Sequence, residues 1–120
     1  MSLDVTRAIP IDSGDAFAAW LAAHGASERE VVVGIYKKAS GTQTVGFEAL
    51  LEAAICHGWI DVQTKSIDGE RYAIRFVPRR AGSTWSATNR GIAARLLAAG
   101  RMTAAGMAAL PEELRGGLGS

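Results

Sequence analysis

The residues able to do chemistry crowd into one part of the chain. Cys56-His57-Gly58-Trp59-Ile60-Asp61 is followed by Arg75-Phe76-Val77-Pro78-Arg79-Arg80 and then by Ser83-Thr84-Trp85-Ser86-Ala87-Thr88-Asn89. Two of the three tryptophans and five of the ten arginines (Arg71, Arg75, Arg79, Arg80, Arg90) lie between positions 56 and 90. Guanidinium forks match carboxylate and phosphate geometry, and indole rings stack on guanidinium planes, so this composition suits recognition of an anion. The candidate ligand-binding set is Trp59, Asp61, Arg75, Arg79, Arg80, Trp85, Ser86 and Asn89. The competing structural account pairs a row of Arg71, Arg75 and Arg79 with Asp61, Asp68, Glu48 or Glu52 and uses Ser86 as a helix cap.

Catalytic patterns are weaker. Cys56 adjoins His57, but neighbouring helical residues point about 100° apart and do not pair. Cys56 also falls at a helix C-terminus with Glu52 four residues before it, and both features disfavour a thiolate. A Ser86, His57 and Asp61 triad has no nucleophile elbow. His24, Cys56, His57 and Asp61 lack any metal-ligand spacing, so neither a metal nor a cofactor is expected. Asp61 remains the one weak catalytic candidate, as an acid/base beside an anionic substrate held by Arg75 and Arg79.

At 120 residues and 48% hydrophobic content, one domain over 1–120 with a single core is expected. The net charge of +1 argues against the broad positive field that non-specific nucleic-acid binding needs. Attraction for an anionic small molecule, or for a protein or peptide partner, must be local. The one cysteine excludes an internal disulfide and suits a reducing compartment. Met1 to Arg7 lacks the apolar stretch of a signal peptide, and Ala16 to Ala23 is too short to cross a bilayer, so a soluble, cytoplasmic protein is expected.

Several elements must position these residues. After an extended start over Val5 to Ile11, Ser13 caps a helix ending at Gly25, with Phe17, Trp20, Leu21 and His24 on one stripe. Trp20 reads as core and His24 as a capping or surface residue. Val31 to Tyr36 reads as a strand covered on both faces or central in its sheet. A loop over 39–43 leads to Thr44, the expected cap of a second helix with Phe47, Leu50, Leu51, Ala54, Ile55 and Gly58 on its apolar face. Gly58 then releases the chain, placing Trp59 and Asp61 at the helix exit.

From Val62 to Val77 the period falls to two about Asp68-Gly69-Glu70, a hairpin. A three-residue loop gathers Val62, Thr64, Ser66, Tyr72, Ile74 and Phe76 on one face, with Gln63, Lys65, Arg71 and Arg75 on the other. A two-residue turn mixes the two sets, so the longer loop is the expected register. A third helix begins at Ser83 or Ser86 and runs to Gly100 with Ile92, Leu96 and Leu97 inward. A shorter helix over Met102 to Leu110, a helical piece from Pro111 to Leu114 and a frayed tail over 116–120 complete the chain.

Gly58-Trp59-Ile60-Asp61, Arg75-Phe76-x-Pro78-Arg79, Ser83-x-Trp85-Ser86-x-x-Asn89 and Gly100-Arg101-Met102-x-x-Ala105-Gly106 together resemble the YdeI/OmpD-associated family of bacterial proteins, over about residues 15 to 110. The resemblance implies a role in protection against bacteriocins or cationic peptides, association with an outer-membrane porin, a suggested periplasmic setting, and no established reaction. His57 departs from the aromatic residue usual after the cysteine, and many members continue into an Arg/Lys-rich tail beyond the position of Ser120. The expected fold is α+β: a two-layer domain whose small, mainly antiparallel sheet (hairpin about 62–77 plus strand about 31–37) packs against the helices bearing Phe47 and Ile92. The expected function is a non-enzymatic binding or stress-protection module that recognises an anionic small molecule or acidic peptide on the Arg/Trp surface.

Overall fold

Strand β2 (Val31–Tyr36) buries Val31, Val33 and Ile35 on one side and Val32 on the other, because it has a neighbour along each edge and cover over each face. The computed structural model describes residues 3–37, 46–80 and 84–116. Within them a four-stranded sheet runs in the order β1-β2-β4-β3, with β1 (Ile9–Pro10), β3 (Trp59–Ser66) and β4 (Arg71–Pro78). β1 is parallel to β2, and the other pairs are antiparallel. The helices are α1 (Gly14–His24), α2 (Phe47–Cys56), α3 (Ala87–Ala98), α4 (Ala104–Ala109) and α5 (Glu112–Gly116). The domain is therefore α+β, with a mainly antiparallel sheet against helices.

Helix α1 starts where Ser13 Oγ accepts the amide of Ala16 at 2.9 Å and is closed by Gly25. Its buried face is narrower than the periodicity suggests. Phe17 and Leu21 are buried, Trp20 is half-buried at the edge of the core, and His24 is exposed beside it. With Leu50, Ala53 and Ala54 of α2, these residues cover Val31, Val33, Ile35, Ile74 and Phe76 of the sheet. The opposite face is sealed at Val32 and Ala73 by Leu3, with Val5, Ala8 and Ile67 around them.

The structure departs from the sequence reading at several points. Val5–Arg7 is a single 3-10 turn, not extended chain, because Asp4 accepts the Thr6 amide and hydroxyl and folds the backbone back. Helix α3 packs on the outer side of α2, where Leu51, Ile55 and Cys56 meet Ile92, Ala93 and Leu96, so α1 rather than α3 joins α2 over the sheet. Gly46 holds the N-cap position of α2, which therefore has no side-chain cap. Helix α5 ends at Gly116. Thr44, the loop over 39–43, Ser83 and residues 117–120 lie outside the described residues.

The hairpin has the three-residue loop. Ile67 donates to the Arg71 carbonyl at 3.0 Å, and Asp68 Oδ1 accepts the amides of Glu70 and Arg71 at 2.8 Å each. Ser66 opposite Tyr72 and Thr64 opposite Ile74 give the expected faces as far as Gln63, which opposes Arg75. There the register shifts: Asp61 opposes Phe76, and Val62 is the extra residue, 45% exposed instead of aligned with the apolar set. A bulge of this kind inverts alternation, so Trp59 and Asp61 share a face with Thr64 and Ser66.

Gly58 makes the tight exit from α2 at φ 79°, a left-handed conformation that a side chain disfavours. A Cβ there would also stand 2.8 Å from the Ala105 carbonyl oxygen. Gly58→Ala should therefore cost at least about 2 kcal/mol, from backbone strain and overpacking of α4. Urea unfolding measures it, and an unchanged midpoint would contradict this account of the exit.

Candidate functional site

The exit from α2 is fastened before it reaches the strand. The Cys56 carbonyl accepts both the amide of Thr103, at 3.0 Å, and its hydroxyl, at 2.7 Å. The same hydroxyl caps α4 by accepting the Gly106 amide at 3.1 Å. Gly106 lies directly against the Cys56 carbonyl, an approach that a Cβ would prevent. β3 then begins at once, and Trp59 drops into the core at 2% exposure, with its ring edge-on to Trp20 at 6.0 Å.

The arginines divide between two surroundings. Arg75 faces the Val32 side of the sheet and donates from Nε and Nη2 to Glu30 Oε2 at 3.3 and 3.2 Å. Arg7 holds the other oxygen of Glu30 at 2.9 Å. Arg71, on the same face, pairs with Asp68 at 3.2 Å. Arg79 lies beyond the strand end, where its amide donates to the Gly58 carbonyl at 2.8 Å. Its guanidinium is laid on Trp85, 3.7 Å from the ring centroid, and Nη1 donates to the Thr84 carbonyl at 3.1 Å.

Burial lowers the pKa of Arg79, and the nearby charge of Asp61 acts the other way. Arginine remains charged through such shifts, so a cation is fixed at 9% exposure between the sheet end and α3. Arg80 follows it, exposed. Ser86 caps α3 by accepting the Asn89 amide at 3.1 Å, and Asn89 is half-buried in that first turn. The fold thus gathers Arg79, Arg80, Trp85, Ser86 and Asn89 around the β4–α3 connection, with Asp61 as an electrostatic neighbour. It places Trp59 in the core and Arg75 with Glu30.

Glu30 is the partner that spacing could not supply. It is an ordinary carboxylate one residue before β2, and only the pairing of Val32 with Arg75 brings it within reach. Glu52 serves neither Arg75 nor Arg79; it binds Arg95 at 3.0 Å and Arg101 at 3.3 Å, tying α2 to the last turn of α3 and to the segment that follows it.

Cys56 and His57 border a polar cleft of about 460 Å³ with Asp15, Glu52 and Arg101. Burial pushes the Cys56 thiol up, opposed by Arg101 and reinforced by Glu52, so the group is held as a thiol. Burial pulls His57 below the ordinary imidazole value of 6.5, favouring the neutral ring. Among the described residues, no cluster of three or more His, Cys, Asp or Glu side chains has metal-binding geometry.

A family model described as a domain of unknown function, DUF8412, matches residues 9–109, from β1 to the end of α4. The chain belongs to this family. No curated protein and no solved structure matches it. The matched span of the DUF8412 domain contains every residue gathered at the β4–α3 connection, and the His57 cleft as well.

The depressed pKa of His57 has a consequence for stability. The unfolded chain takes up this proton first as pH falls, so the contribution is intact above about 6.5 and is lost as acid protonates the ring. Between about pH 7.5 and 5.5 the thermal midpoint should fall, and His57→Gln should flatten that slope. A slope unchanged in His57→Gln would assign the pH dependence to another group.

Proposed function

We propose that this DUF8412 domain is a non-enzymatic binding or stress-protection module of the YdeI/OmpD-associated type, acting in the cytoplasm. It takes an anionic small molecule, or the carboxylates of an acidic peptide, on the part of the Arg/Trp surface at the β4–α3 connection. The observation that carries the reading is the Arg79 guanidinium held on Trp85, 3.7 Å from its ring centroid, immediately before exposed Arg80 and the capped N-terminus of α3. A guanidinium fixed on an aromatic plane loses little rotamer freedom when an anion arrives, and the positive end of a twelve-residue helix adds to its field.

Arg75 is a poorer anchor, since any ligand there competes with Glu30. Asp61 is read as a neighbouring charge to Arg79, since a lone carboxylate is more usually a counter-charge than an acid/base. The single cysteine, which is buried, suits a reducing compartment.

A thermal-shift screen of phosphates, carboxylates, nucleotides and acidic peptides tests the proposal. A ligand at a hundred times its dissociation constant stabilises the fold by about 2.7 kcal/mol. That gain should vanish in Arg80→Ala and shrink in Asn89→Ala, while both variants keep the unliganded midpoint, because Arg80 is exposed and Asn89 donates to the Ser86 cap through its backbone amide, which alanine retains. A shift that survives both substitutions would remove the ligand from this surface. Turnover abolished by Asp61→Asn would replace the module with an enzyme.

A further inference from the structure

A second cleft, of about 640 Å³, opens on the seam between the two hydrophobic clusters. Phe47 packs against both clusters and forms part of its wall, joined by Leu51 from α2, Ile92 and Thr88 from α3, and Tyr72 from β4. Its size falls within the range of about 300–1,000 Å³ typical of small-molecule sites, and its walls are mainly apolar with a few polar groups, as in such sites. It is also separate in chemistry from the β4–α3 surface, because no arginine lines it.

From this we infer that the cleft is a binding site for a flat, largely apolar, uncharged small molecule with one hydrogen-bonding edge group, of the phenol or naphthol kind. Phe47 and Tyr72 offer ring surface, and Leu51 and Ile92 offer aliphatic contact to the body of such a molecule. The Thr88 hydroxyl and the Tyr72 phenol supply the polar contacts. Burial raises the pKa of Tyr72, so the phenol remains a neutral donor and acceptor through the physiological range.

Charge at the rim favours neither sign of ion. Lys37 lies there and keeps its charge, with its ammonium turned to the hairpin and donating to Ser66 Oγ and to the Asp68 carbonyl at 2.9 Å each. Glu48, exposed on the first turn of α2, sets one carboxylate against it. An ion entering the apolar cleft would lose its hydration with no unopposed counter-charge to replace it. A neutral ligand leaves all of these arrangements intact and still buries its apolar surface.

The test is an amide NMR titration of the full chain with naphthol and, separately, naphthoate. Naphthol should bind saturably, moving the amide signals of Thr88, Ile92 and Tyr72, and naphthoate should bind at least about tenfold more weakly. Thr88 is exposed, so Thr88→Trp should fill the cleft and weaken naphthol about tenfold or more at an unchanged thermal midpoint, while Arg80→Ala leaves naphthol binding as it was. Should Thr88→Trp disturb the fold, contacts from the naphthol ring to the methyl groups of Leu51 and Ile92 in the unsubstituted protein decide the location. Absence of binding at about 1 mM, equal binding by Thr88→Trp, no contact with those methyl groups, or a preference for naphthoate would each overturn the inference.

Discussion

Helix α2 must be covered on two sides at once, and most of the architecture follows from that. Leu50, Ala53 and Ala54 face the sheet, whereas Leu51, Ile55 and Cys56 face outward, all of them buried. A helix of ten residues with so wide an apolar surface cannot lie against a sheet with its back to water. Helix α3 and the short pieces after it supply the second cover. The small residues of α4 allow that cover to come close, with Gly106 against the Cys56 carbonyl and Ala105 against Gly58. Thr103 then satisfies the carbonyl that the end of α2 would otherwise leave buried without a donor.

The same constraint fixes where charge can go. With α2 enclosed, the chain leaving it has one route, through Gly58 into the edge strand β3, and Arg79 closes that corner by bonding back to the Gly58 carbonyl. Its side chain is drawn under cover with Trp85, which belongs to the outer cluster. Arg79 therefore belongs to the structure whatever else it does: it links the sheet end to the helix that shields α2. The anion surface proposed here is built on a residue the fold already holds rigid, while exposed Arg80 and the first turn of α3 supply its adaptable part.

Local signals were the legible ones. Ser13 and Ser86 cap the helices they precede because a cap depends on residues three positions apart. The hairpin loop could be chosen from side-chain faces because apolar Tyr72, Ile74 and Phe76 penalise the slipped register. Three features of the candidate region had no local signal. The bulge at Val62 looks like continued alternation, since valine suits either face of an edge strand, yet it decides that Asp61 rather than Val62 turns toward the helices. The partnership of Arg75 with Glu30, 45 residues apart, arises from the pairing of β2 with β4, which spacing along the chain does not reveal. Trp59 belongs with these: beside Asp61 it looks like a ligand platform, but at the start of β3 it faces the core.

Pairing across the fold also decides how charge is distributed. The near-neutral total of +1 conceals a segregated arrangement in which Glu30 occupies Arg7 and Arg75 on one sheet face and Glu52 occupies Arg95 and Arg101 beside α2. Each carboxylate serves two guanidinium groups, so both clusters retain a positive excess, spread over exposed and half-buried side chains where solvent screens it. At the β4–α3 connection the cation is instead buried on an indole ring, with Asp61 as a neighbouring charge. Lower local dielectric makes an anion's attraction to that corner stronger than to the more exposed arginines. The distinction depends on burial rather than on how many arginines the chain carries, and it is the reason the proposed anion site is set at Arg79 and its immediate neighbours.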